Sequence, residues 1–408
     1  MVQATQICDP LSPLTDEFLQ DPYSWYKQMR EEDPVYWGDS SKQWMLTRWD
    51  DINSVIRDIS FGKKFQPMKR AWYLKLLRPE YFPMLKASKL FMLRQDPPDH
   101  TRLRGLVNKA FTPKMIEQLR PHIETIANQL IDQVESAGQM DLMTDFAFPL
   151  PVTVISEMLG VPPQDLHKIK AWSTPITFAF DLGGKIEFGK LLAANKAFGE
   201  FIEYLKPIAN LRRKQPKDDL ISALVQAEEE GNKLTEDELL ANCVLLLLAG
   251  HETTVNLIGN GVHALLTHPD QLALLKSNPE LMPQAVDEIL RWNSSVQLVR
   301  RVVMEDTEIR GKKLKKGDLM VCFVGAANRD PEMFRDPDKF DITRTDSKYL
   351  SFGAGIHHCL GWSLAKTEGE IAFRTLLNRL PNFQLKTDKV KFRAHPALRG
   401  LKELWVTF

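Results

Sequence analysis

Over residues 236–267 the chain reads EDELLANCVLLLLAGHETTVNLIGNGVHALLT, and a helical pattern this long and this apolar constrains everything that folds round it. Its unbroken apolar run, residues 243–249, falls far below the roughly 20 residues that a membrane-spanning helix needs. An acid and two hydroxyls interrupt the pattern. Leu245, Leu248, Ala249 and Glu252 share one face by their spacing of three and four, with Thr253 beside them, so a mostly apolar surface carries one proton donor and one alcohol. Two readings stay open on these residues alone. The face suits oxygen activation beside an apolar substrate, or else Thr253 bonds back to a carbonyl one turn earlier and Glu252 merely meets solvent. A zinc-protease reading of HETTV fails, because the residue four after His251 is Val255 and not a second histidine.

Helical periodicity dominates elsewhere too. Residues 112–134 place Met115, Leu119, Ile123, Ile126, Leu130 and Val134 at spacings of three and four. Further helices are expected over 22–31, 97–110, 146–159, 188–214, 282–292 and 360–380. Strand signals are few and short, near 34–37, 44–47, 297–303, 319–323 and 404–408. The expected fold class is therefore mainly α with a small β region. No repeat, low-complexity tract or Gly/Ser-rich linker divides the 408 residues, so one domain over 1–408 is expected. Residues 61–92 are irregular, with prolines among Trp72, Tyr73, Tyr81 and Phe82, and read equally as a binding loop or a solvated connection. With 53 basic and 53 acidic residues, nothing in the charge balance points to nucleic acid or a membrane surface. The N-terminal segment lacks a signal-peptide pattern, so a cytoplasmic protein is expected, with no membrane insertion.

The four cysteines, Cys8, Cys243, Cys322 and Cys359, have no close paired spacing, which disfavours a disulfide framework or a CxxC zinc site. Cys359 lies in SFGAGIHHCLG, residues 351–361. By itself it could be a buried hydrophobe, a nucleophile, a zinc ligand or the axial ligand of a haem. Contiguous His357, His358 and Cys359 without a second cluster do not match structural-zinc spacing. A helical pattern follows, so the sulfur would sit at a helix N-terminus, a position that favours thiolate. Gly353, Gly355 and Gly361 would let the backbone approach a flat cofactor closely. With Phe352 and His357 in the same loop, the axial-ligand reading becomes the strongest. In EILR, Glu288 and Arg291 are neighbours on a helix surface, and Arg344 is a third candidate member of an ion cluster that orients elements rather than performing chemistry.

FGAGIHHCLG, AGHETT, and EILR with FDITR resemble, in this order and separation, the motifs of the cytochrome P450 family of haem-thiolate monooxygenases. The resemblance runs from DPYSWYKQMREEDPV to the end. DPPDHTRLR, AGHETTVNLI and GAANRDP read as in the soluble bacterial branch that includes macrolide and fatty-acyl hydroxylases. It implies the family fold, with haem b buried between the long central helix and the cysteine loop. It also implies Cys359 as the axial thiolate, Phe352 and Ala249 against the cofactor, and His100, Arg104, Arg301 and His357 on the haem propionates. Glu252 and Thr253 match the family's acid–alcohol pair, which organises proton delivery. Leu245, Leu248, Ala249 and Val296, with Phe178 and Phe180 from the lid region, suggest an apolar substrate pocket.

The activity so implied is insertion of one oxygen atom from O2 into an apolar organic molecule, by hydroxylation or epoxidation. NAD(P)H electrons would come through a separate ferredoxin or flavodoxin and its reductase, with no reductase fused to the chain. Two alternatives are a peroxide-driven peroxygenase, whose members usually lack the acid–alcohol pair, and a non-catalytic haem-binding or sensor protein. A basic face drawing on Arg102, Lys109, Lys114 and Lys366 is expected to steer an acidic ferredoxin.

Overall fold

In the computed structural model, residues 9–11, 14–64, 83–108, 111, 113–180, 188–229, 234–346, 348–387 and 389–408 are described. Six helices position the site: α1 (Asp99–Asn108), α2 (Pro113–Asp132), α3 (Phe188–Lys214), α4 (Glu236–Thr267), α5 (Met282–Trp292) and α6 (Trp362–Arg379). Helix α4 has a sequence-encoded start. Thr235 Oγ1 accepts from the Glu238 N–H at 3.2 Å while Glu238 Oε2 accepts from the Thr235 N–H at 2.9 Å, a capping box. Glu236, Asp237 and Glu238 add negative charge where the helix dipole is positive. At the other end Pro269, lacking an N–H, begins a new helix instead of prolonging this one. In its most apolar stretch 83% of α4 is buried inside the protein, the behaviour of a core helix.

The strands are β1 (Val35–Gly38), β2 (Gln43–Leu46), β3 (Phe61–Gly62), β4 (Gln139–Asp141), β5 (Val299–Val303), β6 (Thr307–Ile309), β7 (Lys312–Leu314), β8 (Leu319–Cys322), β9 (Gln384–Leu385) and β10 (Trp405–Thr407). They form a sheet in the order β1-β2-β8-β5-β3, a smaller one in the order β4-β10-β9, and the β6-β7 hairpin. Among the described residues, only the β2–β8 pairing is parallel.

Two apolar cores meet beneath the cysteine loop. The large one gathers α4, α5 and α6, and Phe352 and Leu360 pack against it. The second lies under the five-stranded sheet and takes in Leu350 and Ala354. Alternate residues of the loop are thus anchored in helix and sheet layers, which fixes it from both sides.

Helices 188–214, 236–267 and 282–292 form over the expected residues. The expected helix over 146–159 divides into a π-helical turn, Met143–Ala147, and a helix, Pro149–Met158. Helices Trp49–Arg57, Leu166–Phe180, Leu220–Glu229 and Pro269–Ser277 were not anticipated. Pro175 lies inside one of them and Pro269 starts another. Most of the irregular 61–92 segment lies outside the described residues.

Candidate active site

The cysteine loop is a tight turn closed on itself. The Cys359 N–H donates to Phe352 O at 2.8 Å, across Gly353 and Gly355, which hold φ of +67° and +66°. At Gly355 a Cβ would also come within 2.9 Å of Arg57 Cα and of Ile56 O, so glycine is required there by conformation and by space. Gly361 differs: its φ is −90° and nothing crowds it. Its N–H instead points at the cysteine sulfur and, with Arg104, lowers the thiol's pKa, against burial, which raises it and dominates. Helix α6 begins at Trp362, so Cys359 lies just ahead of the helix and the expected pull of its N-terminus toward thiolate is outweighed.

Four of the sequence-predicted basic residues gather at this loop. His100 on α1 is 2% exposed and its ring lies 4.2 Å from that of His357, centroid to centroid. The Nε2 atoms of both rings are buried without a hydrogen-bond partner. Burial first, then Lys63, His100, Arg301 and Arg104, push His357 down to about 2. Arg301, 3% exposed on β5, donates to Arg300 O at 3.0 Å and Ile56 O at 3.3 Å. Arg104 donates to Asn108 Oδ1 at 3.0 Å and to His358 O at 2.8 Å, so it clamps α1 to the loop.

Lys63 joins them, and the sequence reading did not single it out. The register Phe61↔Val303 and Gly62↔Val302 carries the chain to Lys63 beside Arg301, two like charges side by side. Burial and Arg301 hold the Lys63 ammonium's pKa well below its usual range. The sequence shows the basic pair Lys63 and Lys64, while its pairing opposite VRRVV is a matter of register alone.

On α4, between residues 239 and 262, the positions not buried are Ala249, Gly250 and Thr253. This strip interrupts an otherwise buried stretch of the helix. Thr253 Oγ1 donates to Ala249 O at 3.0 Å, which spends its one proton on the backbone and leaves its lone pairs to accept. Glu252 does not meet solvent. It is 8% exposed, with Oε1 2.6 Å from Arg393 Nη1 and Oε2 3.9 Å from His251 Nε2. Leu245 and Leu248 are buried in the main core, and Val296 is half-buried and bridges to Leu398. The side chains of Phe178 and Phe180 lie outside the described residues.

Glu288, Arg291 and Arg344 come together. Arg291 donates to both oxygens of Glu288, at 2.7 and 2.8 Å, each side chain 1% exposed, and Arg344 Nε lies 3.3 Å from Glu288 Oε2. Arg291 also donates to Asn328 O at 2.8 Å. Asn328 reaches the loop itself, accepting from Leu350 N at 2.7 Å and donating to Ser351 Oγ at 2.8 Å. The expected basic docking face is altered: Arg102 is paired with Glu238 at 2.5 Å and Lys366 with Asp287 at 2.7 Å, so neither offers a free charge. The side chains of Lys109 and Lys114 lie outside the described residues.

A thiol at a fixed loop, two buried imidazole nitrogens without partners and several mutually repelling cations fit an iron porphyrin bearing two carboxylates.

The Cytochrome P450 family model matches residues 187–398. The chain is 42% identical over 410 residues to Cytochrome P450 CYP107DY1 of Priestia megaterium (strain ATCC 12872 / QMB1551), covering 96% of this chain and 97% of that protein. It is 40% identical over 410 residues to the Polyketide biosynthesis cytochrome P450 PksS of Bacillus subtilis (strain 168), covering 97% and 98%. A solved structure, P450BioI in complex with hexadec-9Z-enoic acid ligated Acyl Carrier Protein, is similar with a TM-score of 0.90 at 39% identity, covering 97% of this chain and 100% of that one. The chain belongs to the cytochrome P450 family of haem- and O2-using monooxygenases, an oxidoreductase of the bacterial type.

Proposed function

We propose that the chain, as one catalytic unit in the cytoplasm, hydroxylates or epoxidises a long apolar acyl chain, free or carried on an acyl carrier protein. Electrons from NAD(P)H arrive through a separate ferredoxin or flavodoxin and its reductase. The observation that carries the reading is the cysteine loop, held between two cores beside a cluster of cations with unpartnered imidazoles. The names of PksS and of the P450BioI complex support the acyl and carrier-bound classes. Cys359 Sγ would hold the iron, and His100, Arg104, Arg301 and His357, with Lys63 beside them, would hold the propionates. When bound, the haem would supply O2 activation, with Cys359 as its electron-donating thiolate.

The chain's own residues do the rest. The Ala249–Gly250–Thr253 strip is where this stretch of α4 is not buried. The Thr253 hydroxyl, its proton committed to Ala249 O, orders a water or substrate hydroxyl as an acceptor. Glu252 exchanges a proton with that acceptor chain. Glu288, Arg291 and Arg344 keep the loop in register with α5.

The test is the absorbance of the reduced, CO-bound protein, in wild type and Cys359→Ser, followed by turnover with a surrogate reductase system. The thiolate signature is expected in wild type and its loss, with loss of product, in Cys359→Ser. Unchanged turnover in Cys359→Ser overturns the assignment. Spin-state titration with a free fatty acid and with its acyl-carrier form then separates the two substrate classes.

A further inference from the structure

We infer that Ser294 is a positioning residue for the cysteine loop: acting through Ser351, its buried hydroxyl holds in place the turn that presents Cys359. The inference rests on the reading of Cys359 as the iron ligand given above.

Ser351 stands at the entry to the loop. The next residue, Phe352, supplies the carbonyl that takes the Cys359 N–H at 2.8 Å, so Ser351 is one peptide unit from the atom that fixes the cysteine amide. Three partners surround its hydroxyl. It donates to Leu290 O at 2.7 Å, one of the last carbonyls of α5, which the helix cannot satisfy itself. It accepts from Asn328 Nδ2 at 2.8 Å, and its other lone pair faces Ser294 Oγ at 3.0 Å.

Ser294 can steady that lone pair because its own turn is anchored. Residues 293–297 lead from α5 towards β5, and the carbonyls along them are engaged. Asn260 of α4 donates to Asn293 O at 3.3 Å, Gln297 Nε2 to Ser294 O at 2.7 Å, and the Arg399 N–H to Ser295 O at 2.8 Å. The Gln297 N–H donates to Ala397 O at 2.8 Å, and Val296 bridges to Leu398. The turn is thus pinned to the central helix and to the C-terminal segment, and Ser294 passes that anchorage to the loop.

The remaining carbonyl, Val296 O, lies 2.8 Å from Ser294 Oγ and competes for the same proton. Ser294 and Ser351 have one hydroxyl proton each, yet their contacts to Leu290 O, to Val296 O and to each other call for three. Ser294 is 0% exposed, so bulk water does not relieve the shortage. Removing either hydroxyl leaves a buried acceptor unmatched and frees the loop from the turn.

The consequence is read at the sulfur. The Gly361 N–H points at it, and a hydrogen bond to a ligating sulfur withdraws charge and favours the reduced iron. A loosened loop weakens that bond, so loss of the Ser294 hydroxyl should disfavour reduction.

The experiment measures the equilibrium between the haem and a dye of known reduction potential, in the haem-loaded protein without substrate. The urea midpoint and the reduced, CO-bound spectrum are recorded alongside. The variants are Ser294→Ala, Ser294→Cys, Ser351→Ala and the Ser294→Ala/Ser351→Ala pair. Ser294→Ala is expected to move the equilibrium about 2- to 10-fold toward oxidised haem, the span of one hydrogen bond. Ser294→Cys, a weak donor at the same place, should fall between it and wild type. Ser351→Ala should do at least as much as Ser294→Ala, and the pair no more than Ser351→Ala alone. Should Ser294→Ala retain too little haem to titrate, Ser294→Cys is read in its place. An unmoved equilibrium with only the urea midpoint lowered reduces Ser294 to packing and overturns the inference, as do fully additive effects in the pair. Both results leave Cys359 as the ligand so long as wild type shows the thiolate spectrum. A wild type without that spectrum overturns the ligand assignment and the inference together.

Discussion

Thr253 shows how one hydroxyl carries both of the readings its sequence allows. It bonds back to Ala249 O, as a structural threonine does, and it does so in the one open strip of a buried helix. The two roles are compatible because the donated proton is fixed while the lone pairs stay free. Thr253→Ala removes one half-buried hydrogen bond, so stability should fall by about 1 kcal/mol or less. Haem content and substrate spin-state affinity are expected to stay near wild type, while product per reductant falls several-fold and released hydrogen peroxide rises. Unchanged coupling would reject the assigned role. Glu252 shows the limit of the same reasoning: HETT marks it as an acid on an apolar face, but its partner Arg393 lies in a segment with no shared periodicity or motif. Lys63 was overlooked for the same reason, since only strand register places it beside Arg301.

Among the elements, those with chemical punctuation were legible and those without were not. Helix α4 announces itself through T-x-x-E at one end and proline at the other. Strands β4 and β9 are two or three residues long, too short for an alternating pattern, and exist only because β10 pairs with both. The cysteine loop was readable as a motif, yet what holds it was not. Asn328 and Ser351 connect it to α5, and Arg291 connects that link to Glu288. Glu288→Gln removes one partner of a buried ion pair and leaves Arg291 charged and unmatched, a loss of about 3–5 kcal/mol. It should lower the urea midpoint and the fraction of chains that retain haem. Arg344→Lys should cost less, because Arg344 is held also by Arg335 O and Asp336 O and is not the bidentate partner. Normal haem retention in Glu288→Gln would mean that the cluster does not hold the loop.

At the scale of the molecule, α4 and α6 pack together over a buried acid that no motif predicted. Glu368 on α6 is 1% exposed, and the Thr254 hydroxyl of α4 is its polar neighbour. Burial pushes its pKa up from 4.5 to about 8, so the folded protein keeps this proton at neutral pH while an unfolded chain releases it. Because the folded-state pKa is raised, the stability it represents is complete below 4.5 and is lost as pH rises through about 8. The slope is at most about 1.4 kcal/mol per pH unit for one group. Glu368→Gln keeps the shape and a neutral amide in place of the acid, and so should remove that slope. The urea midpoint of the haem-loaded variant relative to wild type is therefore expected to rise steadily across the interval from 4.5 to about 8. Other groups titrate over the same range in both proteins and cancel in the difference. A difference that stays flat with pH would show that Glu368 is ionised in the folded state, paired with a group brought to it through the joint between the two helices.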